Sequence, residues 1–198
     1  MSLVPTAGWK TVPAYSIAKD DPDYYLSMGL TAEAVAKEFK VSREDQDVFA
    51  FNSHQKALHA IQNGYFKSGI LPITVEETYL DEKGKKTTRS YVMDTDEGVR
   101  ADTNIEALGK LKPAFALGGS VTAGNSSQTS DGAAFALVMS ERMIVELGLK
   151  PIGRLVNCAS AGVHPRIMGD GPVAAVPTVV KQANMSSKDS DQVEVNED

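Results

Sequence analysis

The side chains best suited to acid–base or nucleophilic chemistry are three histidines and a single cysteine. His54 and His59 lie five residues apart on one predicted helix, so they point about 140° apart around its axis. They therefore cannot share a metal ion as a pair four residues apart could. His164, in the segment GVHPR, falls in a predicted loop, where functional residues do occur. No Ser, Cys or carboxylate partner is evident for it, which favours a structural role.

Cys158 stands in the segment LVNCASA, among apolar and small residues of a predicted buried strand. A reactive thiolate needs a helix start or a nearby cation to lower its pKa, and the neighbouring sequence offers neither. We expect a packing residue. The segment GGSVTAGN lacks the glycine spacing and the lysine of the known phosphate-binding loops. We find no metal-binding motif.

Composition narrows the classes of protein. The chain has 198 residues, of which 42% are hydrophobic and 23% charged, and this fits one soluble domain or two small ones. A net charge of -6 argues against a nucleic-acid surface. One cysteine excludes an internal disulfide, and neither a membrane-spanning run nor a signal peptide is evident. We expect a reducing, cytoplasmic compartment and a small-molecule or protein partner.

Helical and strand patterns follow one another along the chain. Residues 1–27 are expected to be irregular. Helices are predicted at 31–39, capped by Thr31; at 41–66, capped by Ser42 and ended by Gly64; within 94–115; at 141–149, between Ser140 and Gly148; and at 168–185, with Gly171 and Pro172 at the start. A hairpin is predicted at 70–80 and 86–93, and further strands at 131–140, 151–162 and 191–198, the first two of them buried.

One segment, Ser120 to Ala134 (SVTAGNSSQTSDGAA), combines hydroxyls, an amide and small side chains over a length that a simple turn does not need. A narrow channel for a ligand arm has such a wall, because small side chains leave clearance and a few hydroxyls pair the polar groups that leave water. We therefore interpret the segment as a ligand-binding wall.

At this segment the chain closely resembles the thiolase family, whose members carry the pattern TAGNxSxxxDGAA. The segments SMGLTAEAVAKEFKVSREDQDVFAFNSHQKA, LKPAF, IGRLVNCASAGVHPRIMGDGPV and VEVNE are similar to family segments in the same order, so the resemblance covers essentially the whole chain. It implies the α/β class and a partial thiolase fold, with βαβ-rich halves, mixed sheets and a loop region, incomplete at both termini. On that basis residues 1–118 are the end of the first thiolase half with the active-site loop region, 119–148 its last strand and helix, and 149–198 the start of the second half.

The resemblance also implies roles for individual residues. Coenzyme A is the expected substrate, its pantetheine arm bound by a serine and flanked by small and aromatic residues, with no cofactor held permanently. The residues that match are Ser127 (pantetheine hydrogen bond), Ala123 and Ser126 (channel lining), Phe115 (aromatic wall), Met28 (near the acyl group), Arg100 (nucleotide end) and Asn196 (the water that stabilises the thioester oxyanion). Glu197 continues the Asn-Glu match, but Asp198 stands where the family has alanine.

The family's nucleophilic cysteine, its activating histidine and its second cysteine match no residue here; Cys158 and His164 lie in other motifs. The resemblance therefore implies the centre of a thiolase that is inactive alone and folds poorly alone, since its strands lack partners. It implies thiolytic cleavage of 3-ketoacyl-CoA, or the reverse condensation, by the complete protein, which is expected to be a dimer or tetramer. Ser27, where short-chain thiolases carry histidine, favours longer acyl substrates. A non-catalytic coenzyme A or acyl-CoA binding module and a purely structural fragment remain alternatives.

Overall fold

The computed structural model describes residues 12–130 and 133–196. The described residues up to Ser42 and from Pro113 onward form one compact unit, and Arg43–Lys112 form a second. Among the described residues, no helix combines the length and the apolar character needed to cross a membrane.

The first unit starts with two short helical elements, α1 (Tyr15–Asp20) and a 3₁₀ helix (Pro22–Tyr25). The prediction of irregular chain up to residue 27 is wrong for these residues, because Pro22 occupies the first position of its turn, where its missing N–H costs nothing. Residues 1–11 lie outside the described part. Helix α2 (Met28–Phe39) begins three residues before the predicted start, after Ser27. Thr31 is therefore not a cap: it is buried in the first turn, and its hydroxyl donates to the Ser27 carbonyl at 3.2 Å.

The second unit confirms the predicted long helix and hairpin. Helix α3 (Arg43–Gln62) ends before Gly64, whose φ of 70° gives the left-handed backbone that terminates it. Strands β1 (Ile73–Leu80) and β2 (Lys86–Met93) pair in antiparallel register. Their turn is closed by the Asp81 side chain, whose Oδ1 accepts from the Lys83 and Lys85 amides at 2.9 and 2.8 Å. The short helix α4 (Ile105–Gly109) then follows.

The two helices predicted after residue 140 are also confirmed. Helix α5 (Glu141–Leu147) is capped by Ser140, whose side chain accepts from the Met143 amide, and ended by Gly148 at φ 62°. A 3₁₀ helix (Pro165–Asp170) leads into α6 (Gly171–Gln182), with proline near its start as expected. The 3₁₀ helix packs against α2. A last 3₁₀ turn covers Ser187–Asp189.

The predicted strands at 131–140, 151–162 and 191–198 are wrong: their described residues adopt no strand. Phe135 and Leu137 are 99% and 90% exposed, and Ile152 is fully exposed. A strand needs a neighbour to pair its N–H and C=O groups, and within the described residues the one sheet is the β1–β2 hairpin. Cys158, predicted to be buried, is exposed for the same reason.

Candidate functional site

The site is built on residues 118–127, called here the small-residue turn. Gly118 enters it with φ 68°, a conformation that suits glycine. The Ala114 amide donates to the Val121 carbonyl at 2.9 Å, and Pro113 and Thr122 form an isolated antiparallel bridge, which together close the loop on itself. Val121 and Thr122 are buried, at 5% and 0% exposure. The turn therefore has a small core of its own.

A carboxylate from α2 holds the start of this turn. The Ser120 amide donates to both carboxylate oxygens of Glu33, at 2.9 and 3.0 Å, and the Ser120 hydroxyl donates to Oε2 at 3.2 Å. The Val121 amide donates to Oε1 at 2.9 Å. A Cβ atom on Gly119 would overlap these oxygens, so glycine is required for the approach.

Side chains within the turn form hydrogen bonds with several of its other polar groups. The buried Thr122 amide donates to Asn125 Oδ1 at 2.7 Å, while Asn125 Nδ2 donates to the Ser120 carbonyl at 3.1 Å. The Ser126 hydroxyl donates to the Thr122 carbonyl at 2.7 Å. Buried polar groups that are paired in this way rigidify a loop, because each bond lost would leave a desolvated group behind.

The residues that sequence matching assigned to the pantetheine arm divide into two kinds. Ser127 and Ala123 are exposed on the turn, and the Ser127 hydroxyl donates to the adjacent Gln128 carbonyl at 3.2 Å. Ser126 is half-buried, and its hydroxyl already belongs to the internal bonding of the turn. The Ser127 hydroxyl thus lies at the surface, whereas the Ser126 hydroxyl stabilises the turn from within.

Met28 and Phe115 come together at the start of α2. The Phe115 ring lies against the backbone of Gly29, the residue next to Met28, so closely that a side chain on Gly29 would clash with it. Phe115 and Met28 remain 43% and 47% exposed. The structure therefore brings Phe115 against the residue next to Met28, although 87 positions separate these two predicted site residues in the chain.

Arg100 belongs to the second unit. Its guanidinium donates to Asp102 at 3.3 Å, and this hydrogen bond is the main reason that the pKa of the Asp102 carboxyl is lowered, followed by a backbone hydrogen bond within Asp102 and then by the charge of Arg100. Its amide donates to His54 Nδ1 at 3.2 Å. Asn196 is exposed, and its matched neighbour Glu197 lies outside the described residues.

The remaining histidines have local contacts. His164 Nδ1 accepts from the Arg166 amide at 3.3 Å and so caps the following 3₁₀ helix, a structural role. His59 packs edge-on against Tyr65.

Sequence reasoning missed Glu33, Gly119, Gly29 and Asn125. Asn125 lies in the quoted motif, but its bonds to the backbone are visible only in the folded turn. The local sequence around Glu33 predicts only a helix, since nothing in it connects this residue with a loop 87 residues away.

Comparisons with known proteins identify the relatives of this chain. The family model of the thiolase N-terminal domain matches residues 15–142, and that of the thiolase C-terminal domain matches 149–198. The 3-ketoacyl-CoA thiolase of Bacillus subtilis is 47% identical over 197 residues, which are 100% of this chain and 50% of that protein. The human peroxisomal 3-ketoacyl-CoA thiolase is 47% identical over 175 residues, 88% of this chain and 40% of the relative.

Solved structures show the same likeness. The acetyl-CoA acetyltransferase of Bacillus anthracis superposes with a TM-score of 0.80 at 38% identity, covering 98% of this chain and 49% of that one. The dimeric peroxisomal thiolase of Saccharomyces cerevisiae gives a TM-score of 0.82 at 37% identity, covering 94% and 45%. The chain spans 50% of the length of the Bacillus subtilis relative and 40% of the length of the human one. By these matches, the chain belongs to the thiolase family.

Proposed function

We propose that this chain supplies the pantetheine-binding wall of an acyltransferase that cleaves 3-ketoacyl-CoA with coenzyme A into acetyl-CoA and a shortened acyl-CoA. The observation that carries the proposal is the small-residue turn: a rigid, internally bonded loop that leaves Ser127 and Ala123 exposed. The 47% identity to 3-ketoacyl-CoA thiolases supports the substrate class.

Each exposed group has a role in binding. The Ser127 hydroxyl exchanges its bond to the Gln128 carbonyl for a bond to a pantetheine amide, and Ala123 leaves clearance for the methylenes. Phe115 and Met28 give an apolar surface for the arm and the acyl chain. Arg100, exposed beside Asp102, offers its other guanidinium N–H groups to the phosphates at the nucleotide end.

Asn196 is proposed to hold the water that stabilises the thioester oxyanion, a fixed dipole aimed at developing charge. The reaction needs a nucleophilic cysteine, a histidine that activates it and a second cysteine that moves the proton of the leaving carbon. The single cysteine, Cys158, matches neither of the two. We therefore propose that other residues of a complete thiolase provide these groups, with residues 1–118, 119–148 and 149–198 as parts of its two halves.

Substrate, assembly and compartment are proposed from coarser support. Ser27 favours acyl chains longer than acetoacetyl. A homo-oligomer is proposed because a structural relative is described as dimeric. A cytoplasmic location is proposed from the sequence alone, whereas several relatives of equal identity are peroxisomal.

The test is a pair of measurements on the 198-residue chain. Isothermal titration with coenzyme A should show binding that Ser127→Ala weakens, while Ser160→Ala, a matched exposed serine outside the turn, leaves it unchanged. No heat at millimolar coenzyme A would overturn the proposal.

A thiolysis assay with acetoacetyl-CoA should give no rate above a buffer blank. Turnover that survives Cys158→Ala and His164→Ala would show that the assignment of the missing groups is wrong. In a complete enzyme, Ser127→Ala should raise KM rather than lower kcat, since the amide bond is common to ground and transition states.

A second function, a coenzyme A or acyl-CoA binding module without catalysis, is favoured by one observation. The one cysteine of the chain, Cys158, is an exposed residue of another motif, and the roles proposed above for the matched residues are all in binding or orienting the ligand. Coenzyme A binding by the natural full-length protein without any thiolysis would establish this alternative.

A further inference from the structure

We infer that Glu33 is a positioning residue: its carboxylate fixes the small-residue turn relative to Met28, the two places that we propose contact the pantetheine arm and the acyl group of a bound thioester. This inference rests on the proposed function and deepens it. It concerns a side chain on α2 whose sequence context predicts only an ordinary helix residue.

The first step is the density of contacts at the carboxylate. Two amides and one hydroxyl, from Ser120 and Val121, all donate to the two oxygens of Glu33 at 2.9–3.2 Å. A carboxylate has about four lone-pair sites, so these donors use most of its capacity. Hydrogen bonds to an ionised acceptor are about twice as strong as neutral ones. The contact therefore fixes the backbone of residues 120–121 in both position and direction.

Hydrogen bonds and chain connectivity link the anchored residues 120–121 to the residues proposed to face the ligand. Thr122, fully buried, follows the anchored pair directly, and Ser126 is tied to the Thr122 carbonyl at 2.7 Å. Ser127 is the next residue along. Its location is therefore set by one short chain of bonds that begins at Glu33.

The third step is that α2 carries both ends of the arrangement. Met28 is the first residue of the helix and Glu33 lies five residues later, which is about 7.5 Å along the axis. Phe115 packs on Gly29 at the same end. One rigid helix thus sets the separation between the turn, proposed to bind the amides, and Met28, proposed to contact the acyl group.

Gly119, on the turn side of the contact, also indicates that the Glu33 carboxylate has a specific place in the fold. It gives the carboxylate room that any larger residue would remove, although its own φ is not in the left-handed region. A glycine needed for access by a charged side chain, rather than for backbone freedom, indicates that this contact is a specific feature of the fold.

The experiment compares variants of the full 198-residue chain. Glu33→Ala removes the hydrogen-bond acceptor. Glu33→Gln keeps the side-chain volume and one acceptor oxygen, and it serves as the second variant if Glu33→Ala does not fold. Glu38→Ala and Glu38→Gln are the matched controls, because Glu38 lies on the same helix and its exposed carboxylate pairs with Arg166 at 3.4 Å. The ligands are coenzyme A and, separately, its adenosine bisphosphate portion, which lacks the pantetheine arm.

We expect Glu33→Ala to weaken coenzyme A binding by about tenfold or more and Glu33→Gln by about threefold, which correspond to the loss of one to two net hydrogen bonds. Binding of the adenosine bisphosphate should be unchanged in both, and the Glu38 variants should match the parent. Amide hydrogen exchange at Ser120 and Val121 should accelerate in the Glu33 variants only.

Three results would overturn the inference: unchanged coenzyme A affinity in Glu33→Ala, an equal loss of affinity for both ligands, or unchanged exchange at Ser120 and Val121. A parent chain that binds no coenzyme A contradicts the proposed function instead. In that case, exchange still decides whether Glu33 holds the turn.

Discussion

Two stretches of the same unit, separated by only a few residues, differ in burial in the opposite sense to their hydrophobicity. The small-residue turn, mostly small and polar, contains a fully buried threonine and a nearly buried valine. Residues 133–139, almost entirely apolar, have no regular structure, and Phe135, Leu137 and Val138 are 89–99% exposed. Hydrophobicity alone therefore does not decide which of the two is buried.

The difference is where each stretch finds its hydrogen-bond partners. The turn is satisfied by its own Asn125 and Ser126 and by one carboxylate on α2. An apolar strand can be buried only when neighbouring strands pair its backbone, because unpaired N–H and C=O groups cost about 1–3 kcal/mol each out of water. Within the described residues no strand lies beside 133–139. Within the described residues, the turn thus has hydrogen-bond partners for the backbone groups named above, whereas residues 133–139 pair with no strand.

Of the substitutions that test this difference, Gly119→Ala is expected to have the largest effect on the stability of the turn. Its new methyl group would displace the Glu33 carboxylate and leave the buried Val121 amide without a partner, which should lower the opening free energy of the turn by about 3 kcal/mol. Amide exchange at Val121 and Thr122 measures this. Gly118→Ala is the control: it has open space but a φ of 68°, and should cost only about 1 kcal/mol. Equal effects at both glycines would contradict the role of the carboxylate.

Two substitutions at apolar residues, one in each stretch, test the difference in burial directly. Val121→Ala removes buried atoms and should cost about 2 kcal/mol. Phe135→Ser, at a residue that is 99% exposed, should change the same exchange-derived free energy by less than about 0.5 kcal/mol. It should also reduce self-association measured by sedimentation, since it interrupts an exposed apolar segment. A large stability loss in Phe135→Ser would mean that residues 133–139 pack in solution.

Helix α5 offers a smaller test, since it follows the unstructured segment directly. Ser140→Ala removes the side-chain acceptor of the Met143 amide and should cost about 1 kcal/mol of local helix stability. Amide exchange at Met143 and Ile144 reports the change, and Ser160→Ala is the control, because Ser160 does not lie at the start of a helix. If the helix is unaffected, its stability does not depend on its local cap.

The smallest effect is electrostatic and lies outside both stretches. Arg100 lowers the pKa of the Asp102 carboxyl, so any stability that it adds is present above the ordinary pKa of aspartate and is lost as the pH falls through the lowered value. Arg100→Gln should raise the pKa of Asp102 toward its ordinary value, as followed by carboxyl chemical shifts between about pH 2 and 6. An unchanged titration would show that the exposed pair does not form in solution.

Much of the local structure was predictable. Ser140 and Gly148 bound α5, Gly64 ends α3, and the DEKG turn joins β1 to β2, as the residue types predict. The motif around Ser127 predicts a thiolase, and the family comparisons confirm it. The start of α2 was missed because Met28, Gly29 and Leu30 carry no start signal of their own, and Ser27 makes no side-chain cap bond.

The predicted strands failed for a different reason. Apolar runs such as AAFALVMS specify that a segment is suited to a sheet, but a strand forms only where another strand accepts its bonds. No local feature of residues 133–139 or 152–158 could show whether such a partner would be present.

The sequence by itself determined what short-range physics controls: helix caps, left-handed glycine stops, the hairpin turn and the motifs that identify the family. Only the tertiary structure decided that Glu33 reaches across 87 residues to Ser120, that Phe115 rests on Gly29, and that the apolar segments stay exposed. Caps and turns are bonded within a few residues of themselves, whereas these outcomes depend on which distant groups the fold brings together.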